Sequence, residues 1–221
     1  MLATRDAFGT QLVKSAATNN NVIALNADLS KATRLSKFYE AYPDRFIECG
    51  IAECNMIGIA SGMAEYGYKV FMASFASFLT GKYDVIRVSI GYSEAPVVLV
   101  GTHAGLAIGK DGVTQMGLED ISLMRSIPGM TVIQPATAIE AQEVTKYLVD
   151  TELKNPVYLR IGRQPVEEVL QKDYQFEFGK GVVLREGHDL TLISSGCILP
   201  EVLKTADMLS NNGLSCRVVN I

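Results

Sequence analysis

Six apolar runs alternate with helix-period segments over the first 165 residues of this 221-residue chain. The runs are "NVIALNAD", "RFIEC", "KVFMAS", "APVVLVGT", "MTVIQP" and "PVYLRI". Between them lie "NMIGIASGMAEY", "KYDVIRVSIGYS", "LEDISLMRSI" and "AIEAQEVTKYLVD". Ahead of the first run, "ATRDAFGTQLVKSAATN" spaces Phe8, Leu12, Val13 and Ala16 as one face of a helix. A strand with one wet face alternates apolar and polar residues, whereas these runs are apolar throughout. They therefore fit strands covered on both sides. The alternation predicts an α/β fold: a parallel sheet with helices on both faces.

The rhythm breaks near residue 165, where "GRQPVEEVLQKDYQFEFG" has neither period. The predicted division is a first domain over 1–165, a linker over 166–178, and a second α/β unit over 179–221. That unit reads "GKGVVLREG", "DLTLISSG", the helix "PEVLKTADMLSNN" and "LSCRVVNI". A parallel strand pair with one crossover helix is a thin core. The second unit is accordingly expected to be incomplete at Ile221. No internal repeat, low-complexity stretch or long charge run interrupts the chain.

Twenty basic and 24 acidic residues leave a formal charge of −4, with no electrostatic footprint for nucleic acid or an anionic membrane. Cys49, Cys54, Cys197 and Cys216 form no CxxC pair, and only two histidines accompany them. A structural metal site is not expected, and reduced thiols point to the cytoplasm. The opening "MLATRDAFGT" is too polar for a secretory signal, and no apolar run approaches the ~18 residues of a membrane span.

Chemistry-bearing residues fall after the apolar runs. "GLAIGKD" (105–111) imitates a phosphate-binding loop, but its glycines are one position too close and Asp111 stands where Ser or Thr belongs. ATP binding is rejected on that ground. No Gly-x-Gly-x-x-Gly follows the first strand, so a dinucleotide site has no support either. The long loop "GTHAGLAIGKDGVTQMGLED" offers His103, Asp111 and Gln115 among glycines, at the strand end where α/β sheets bind ligands. It reads equally as an ordinary surface loop. Arg5 and Arg163 stand at the two ends of the first unit, and two guanidiniums could clamp a phosphate. Surface arginines are commoner than clamps. Phe75 and Phe78 in "SFASF" are core by default and a flat pocket wall otherwise. Gly58 and Gly62, one turn apart, would let another helix approach, most simply inside the domain, less simply at a subunit interface. Glu53 opens the run "ECNMIGIASGMAEY". It is either a helix-start carboxylate or a poorly hydrated acid able to share a proton with a ligand nitrogen.

Taken in order, "GIAECNMIGIASGMAEYG", "ASFASFLTGKYDVIR", "GTHAGLAIGKDGVTQMGLED" and "LRIGRQP" resemble the thiamine-diphosphate enzymes, and among them transketolases. The resemblance covers residues 3–165, as a pyrimidine-binding domain, and runs on into a transketolase C-terminal domain. It implies that Glu53 hydrogen-bonds N1′ of the aminopyrimidine and promotes the imino tautomer, whose nitrogen removes the thiazolium C2 proton. It places Phe75 and Phe78 along the aminopyrimidine and Asp28 of "NADLS" near the cofactor. Arg5, His103 and Arg163 match residues that hold a sugar phosphate, and Asp111 a carboxylate that reads the hydroxyl beside the scissile bond. Gln115 stands where many members carry a histidine; the animal-type branch is similar to this chain there, with "SQM"-like residues. A glutamine can hydrogen-bond but not act as acid or base near neutral pH. Where the family has a phosphate-binding serine this chain has Ala32, with Thr33 adjacent, and a third pocket aromatic is missing near Gly81.

No Gly-Asp-Gly occurs, so the diphosphate- and Mg²⁺-binding domain of the family is absent from this sequence. The chain thus resembles the smaller, C-terminal-type subunit of a split transketolase. The resemblance implies a transferase of two-carbon ketol units between sugar phosphates, as in pentose phosphate interconversion. Thiamine diphosphate would be shared with a large N-terminal-type subunit that holds Mg²⁺. Two copies of each subunit are expected, and the chain alone should be inactive. Related alternatives are a 1-deoxy-xylulose-5-phosphate synthase or a 2-oxoacid dehydrogenase β subunit. "TH" at 102–103 weighs against the first and "KDGVTQ" against the second. A non-catalytic assembly module is the alternative of another class.

Overall fold

The computed structural model describes residues 1–221. In chain order the elements are β1 (Leu2–Ala3), α1 (Thr4–Ala16), β2 (Val22–Asn26), α2 (Ser30–Thr33), α3 (Ser36–Ala41), β3 (Phe46–Glu48) and α4 (Glu53–Glu65). Next come β4 (Lys69–Phe75), α5 (Ala76–Thr80), α6 (Tyr83–Ile86), β5 (Val98–Thr102), α7 (Asp120–Arg125), β6 (Thr131–Ile133), α8 (Ala138–Asp150) and β7 (Val157–Arg160). The last are β8 (Pro165–Val166), β9 (Val182–Arg185), β10 (Leu190–Ser194), α9 (Leu199–Asn211) and β11 (Cys216–Asn220).

Six strands form one wholly parallel sheet in the order β3-β2-β4-β5-β7-β6. β2 shows why the runs had to be apolar throughout. Val22 and Ala24 pack into one layer with Phe8 and Leu12 of α1 and Val144 and Leu148 of α8. Ile23 and Leu25, pointing the other way, join Met56, Ile57 and Ala60 of α4. Each fully buried Leu or Phe side chain contributes about 1.5–3 kcal/mol, so the two layers dominate the stability of this unit. α8 is held at both ends. The Thr137 hydroxyl accepts from the Glu140 N–H at its start, at 3.4 Å. The Lys69 ammonium donates to Val149 O at its end, at 2.6 Å, and also to Thr151 O.

The stretch expected as a helix around "KYDVIRVSIGYS" is α6 followed by π-helical turns over Arg87–Tyr92. Gly91 lies there against Ile127, whose methyl would stand 2.3 Å from an added Cβ. Gly58 and Gly62 do not serve a helix contact inside the domain. Both are exposed on α4, and a Cβ at either would meet no atom within 4 Å. The segment 166–178 is packed rather than free. Val166 pairs with Leu2 in the antiparallel β1–β8 ribbon, Leu170 is buried, and the Tyr174 hydroxyl donates to Glu140 at 3.0 Å. The same Glu140 carboxylate accepts from Ala136 N–H at 2.6 Å and the Asn220 amide at 2.9 Å, tying the second unit to the first. That unit is a sheet of order β10-β11-β9, parallel between β10 and β11 and antiparallel at β9, with α9 packed on it.

Candidate functional site

The chemistry-bearing residues cluster beyond the carboxyl ends of β2, β3, β4, β5 and β7. Glu53 is the first residue of α4 and only 9% exposed. The Ser74 hydroxyl donates to its carboxylate at 3.3 Å, the one side-chain hydrogen bond it receives. Both readings of this acid hold at once: it enjoys the positive end of the helix dipole, and its remaining lone pairs are open to a ligand. Phe75, which ends β4 directly after Ser74, stacks on Phe78 of α5 with ring centroids 5.2 Å apart and planes at 21°. The imidazole of His103 lies against Phe75, at 3.9 Å between centroids and with planes at 30°. The two phenyl rings make an apolar face, with the imidazole against Phe75, directly after the Ser74 that bonds the carboxylate.

His103 follows β5 in a left-handed conformation, φ 57°, and is 3% exposed. The Thr102 hydroxyl donates its hydrogen to Ser74 O at 3.3 Å. Its oxygen is 2.9 Å from His103 Nδ1, so Nδ1 carries the proton and donates to it. Nε2 is left bare and accepts from Arg5 Nη1 at 2.9 Å. Burial, then the neighbouring Arg5 and Arg163 cations, push the imidazole pKa down to about 4. Burial, then Arg34, likewise lowers Arg5. A second donation from Arg5 Nη1 reaches Ala32 O at 3.0 Å.

The His103 wiring carries a pH prediction. In the unfolded chain the imidazole protonates near pH 6.5; in the folded chain it resists until about 4. As pH falls through that window the unfolded state binds the extra proton, so stability falls. Urea melts of wild type and His103→Asn between pH 7 and 4 should show the wild type losing about 2–3 kcal/mol more. Parallel pH curves for the two proteins would contradict it.

The loop from Ala104 to Gly117 closes on itself, with Gly105 N–H donating to Gly117 O at 2.8 Å. Within it Asp111 pairs with Arg163, whose Nη1 also donates to Ile108 O at 3.2 Å. Arg5 is joined to the Arg163 segment through its N–H to Gly162 O at 3.3 Å. The backbone carbonyl of Gln115 accepts from the Ser77 hydroxyl of α5 at 3.1 Å, which ties this end of the loop to the helix that carries Phe78. Under the loop neck lies a buried group that sequence reasoning missed. Asp120 is fully buried and its Oδ2 accepts from Tyr158 OH at 2.9 Å and Arg160 Nε at 2.7 Å. Arg160 Nη2 reaches Gly117 O at 3.4 Å. A charge at the end of an otherwise apolar strand, "VYLR", was the available signal.

Asp28, exposed at φ 56° beyond the end of β2, makes no side-chain hydrogen bond to these residues, and its N–H donates to Glu48 at 2.7 Å. No group of three or more His, Cys, Asp or Glu side chains is arranged to hold a metal ion. No helix is long and apolar enough to cross a membrane. A cavity of about 400 Å³ among Ile133, Phe176, Phe178 and Asn220 includes none of the site residues named above.

Family models for the transketolase pyrimidine-binding domain and the transketolase C-terminal domain match residues 1–168 and 179–221. The chain belongs to the transketolase family, whose domains imply dependence on thiamine diphosphate. It is 34% identical over 218 residues to a 6-deoxy-6-sulfo-D-fructose transketolase subunit of Clostridium sp. (strain MSTE9), covering 98% of this chain and 67% of that one. One of the apulose-4-phosphate transketolase subunits of Phocaeicola vulgatus is also 34% identical, with 100% and 71% covered. Among solved structures, one described as "Split gene transketolase, inactive beta4 tetramer" superposes with a TM-score of 0.90 at 39% identity, covering 100% of this chain and 71% of that one. Against the rat transketolase the chain spans only 35% of the relative's length.

Proposed function

We propose that this chain is the pyrimidine-domain subunit of a split transketolase, moving a two-carbon ketol unit from a ketose phosphate to an aldose phosphate. Residues 1–165 form the pyrimidine-binding domain, 166–178 the connection, and 179–221 belong to the C-terminal domain. The observation that carries this reading is a nearly buried Glu53 carboxylate, bonded only by Ser74, beside the stacked Phe75–Phe78 pair. A planar ring with a nitrogen at its edge fits that combination. The chemistry thiamine diphosphate supplies when bound is the nucleophilic carbon that accepts and passes on the ketol unit. Glu53 holds a proton at the ring-nitrogen edge, and Phe75 and Phe78 hold the ring flat and exclude water from it. Arg5 and Arg163 receive the sugar phosphate as paired guanidiniums, with His103 fixing Arg5 and contributing to the phosphate end. Asp111 and Gln115 address the sugar hydroxyls, and Asp28 lies toward the cofactor.

The fit extends to the pyrimidine half only. The diphosphate and its Mg²⁺ are assigned to a large subunit, because this sequence carries no Gly-Asp-Gly. The names of the similar proteins, two transketolase subunits and an inactive tetramer of β chains, support that division. Two copies of each subunit would complete two sites in a cytoplasmic enzyme.

The test mixes the purified chain with its candidate large subunit, thiamine diphosphate and Mg²⁺, and follows transfer from xylulose 5-phosphate to ribose 5-phosphate. Turnover should appear only in the mixture. Turnover by the chain alone overturns the division of the site. Consumption of pyruvate as donor in place of xylulose 5-phosphate transfers the assignment to a synthase or dehydrogenase subunit. A complex that forms and turns over none of these leaves an assembly role.

A further inference from the structure

Glu48 ends β3 five residues before Glu53, and its carboxylate joins two loops that the fold would otherwise leave separate. Oε1 accepts from Asp28 N–H at 2.7 Å and from Gly50 N–H at 3.0 Å. Oε2 accepts from the Asn26 amide at 2.9 Å. Asn26 faces Glu48 in the parallel β2–β3 register, is fully buried, and accepts from the Thr33 hydroxyl at 3.3 Å. Both amides held by Oε1 belong to residues in left-handed conformations: Asp28 at φ 56° and Gly50 at φ 68°. Glycine adopts that region freely, whereas a side-chain-bearing residue is strained there and persists only if its surroundings hold it. From Gly50 the chain reaches Glu53 through one tight turn, Ala52 N–H to Gly50 O at 2.7 Å.

We propose that Glu48 is a positioning residue that locks the Asp28 loop and the Gly50–Glu53 turn into one rigid edge of the thiamine diphosphate site. This rests on the pyrimidine-site reading above. Glu48 touches neither cofactor nor substrate and acts through the two backbone amides. Without its carboxylate the strained Asp28 relaxes into other conformations, and only part of the population presents the cofactor edge. The apparent dissociation constant of the cofactor then rises by the inverse of that fraction. Glu48 itself makes no hydrogen bond to Arg5, His103 or Arg163, the proposed phosphate end.

The experiment uses the complex of this chain with its large subunit and Mg²⁺, titrated with thiamine diphosphate by calorimetry in the absence of donor sugar. Glu48→Ala should raise the dissociation constant about tenfold. Glu48→Gln keeps a carbonyl acceptor at the same reach and should stay within about threefold of wild type. The KM for xylulose 5-phosphate, measured at saturating cofactor, should not move in either variant. Thermal melts of the free chains show that both variants fold. Wild-type cofactor affinity in Glu48→Ala, even with a lowered melting temperature, overturns the inference and leaves the functional reading standing. A wild-type complex that binds no thiamine diphosphate overturns both.

Discussion

Glu53→Gln is expected to lower ketol transfer by the reconstituted complex about 10²–10⁴-fold, the range that one positioned proton-transfer group contributes. The substitution is nearly isosteric and keeps an oxygen for the Ser74 hydroxyl. What it removes is the capacity to hold a proton opposite a ring nitrogen. The helix-start reading makes a different prediction for the same variant. Losing one negative charge at the first turn of α4 costs only about 0.3–1 kcal/mol of stability. Rate and stability therefore separate the two roles. A collapsed rate with a melting curve close to wild type marks a functional acid. A full rate with a slightly lowered melting curve would falsify the assignment and leave Glu53 as a helix-start residue.

Arg160→Met should destabilise the free chain by about 3–5 kcal/mol, well beyond an ordinary surface substitution. Asp120 is fully buried, and its Oδ1 has no hydrogen-bond partner. Its charge is balanced at Oδ2 alone, by Arg160 Nε at 2.7 Å and Tyr158 OH at 2.9 Å. Methionine fills the volume and leaves the carboxylate without a counterion in a low-dielectric setting. The double variant Arg160→Met/Asp120→Asn buries no net charge and should recover a measurable part of the loss. Urea denaturation midpoints of the three proteins decide the matter. A loss under about 1 kcal/mol in the single variant would mean that the pair is screened like a surface ion pair. The variant also removes a support of Gly117, so the 104–117 loop should become more sensitive to proteolysis.

The alternation of elements was legible because each β2-like run had to feed two core layers, and that requirement is written in consecutive apolar residues. Glu53 and the 101–120 loop were legible as positions, since strand ends are where such sheets bind ligands. The meeting of Arg5 with His103 was not, for the two lie 98 residues apart and come together only through the strand order. Their assignment to one phosphate end came from family resemblance. The two-residue strands β1 and β8 were invisible because so short a pair has no period to detect. For Gly58 and Gly62 the in-domain contact failed for a related reason: spacing shows that two glycines share a helix face, not which way that face points. Glu48 gave no signal beyond being a charged residue at a strand end.

The tautomer of His103 has a consequence for how binding would respond to acidity. With its proton committed to the Thr102 oxygen and Nε2 to Arg5, the imidazole is electrically silent across the physiological range. In the proposed phosphate end, Arg5 and the Asp111-paired Arg163 would keep their guanidinium charges through any change in medium near neutrality. Any acidity dependence in capturing a phosphomonoester must come from the ligand, whose second ionisation lies near pH 6. The protein would behave there as a fixed electrode, reading the charge state of its sugar phosphate while keeping its own constant.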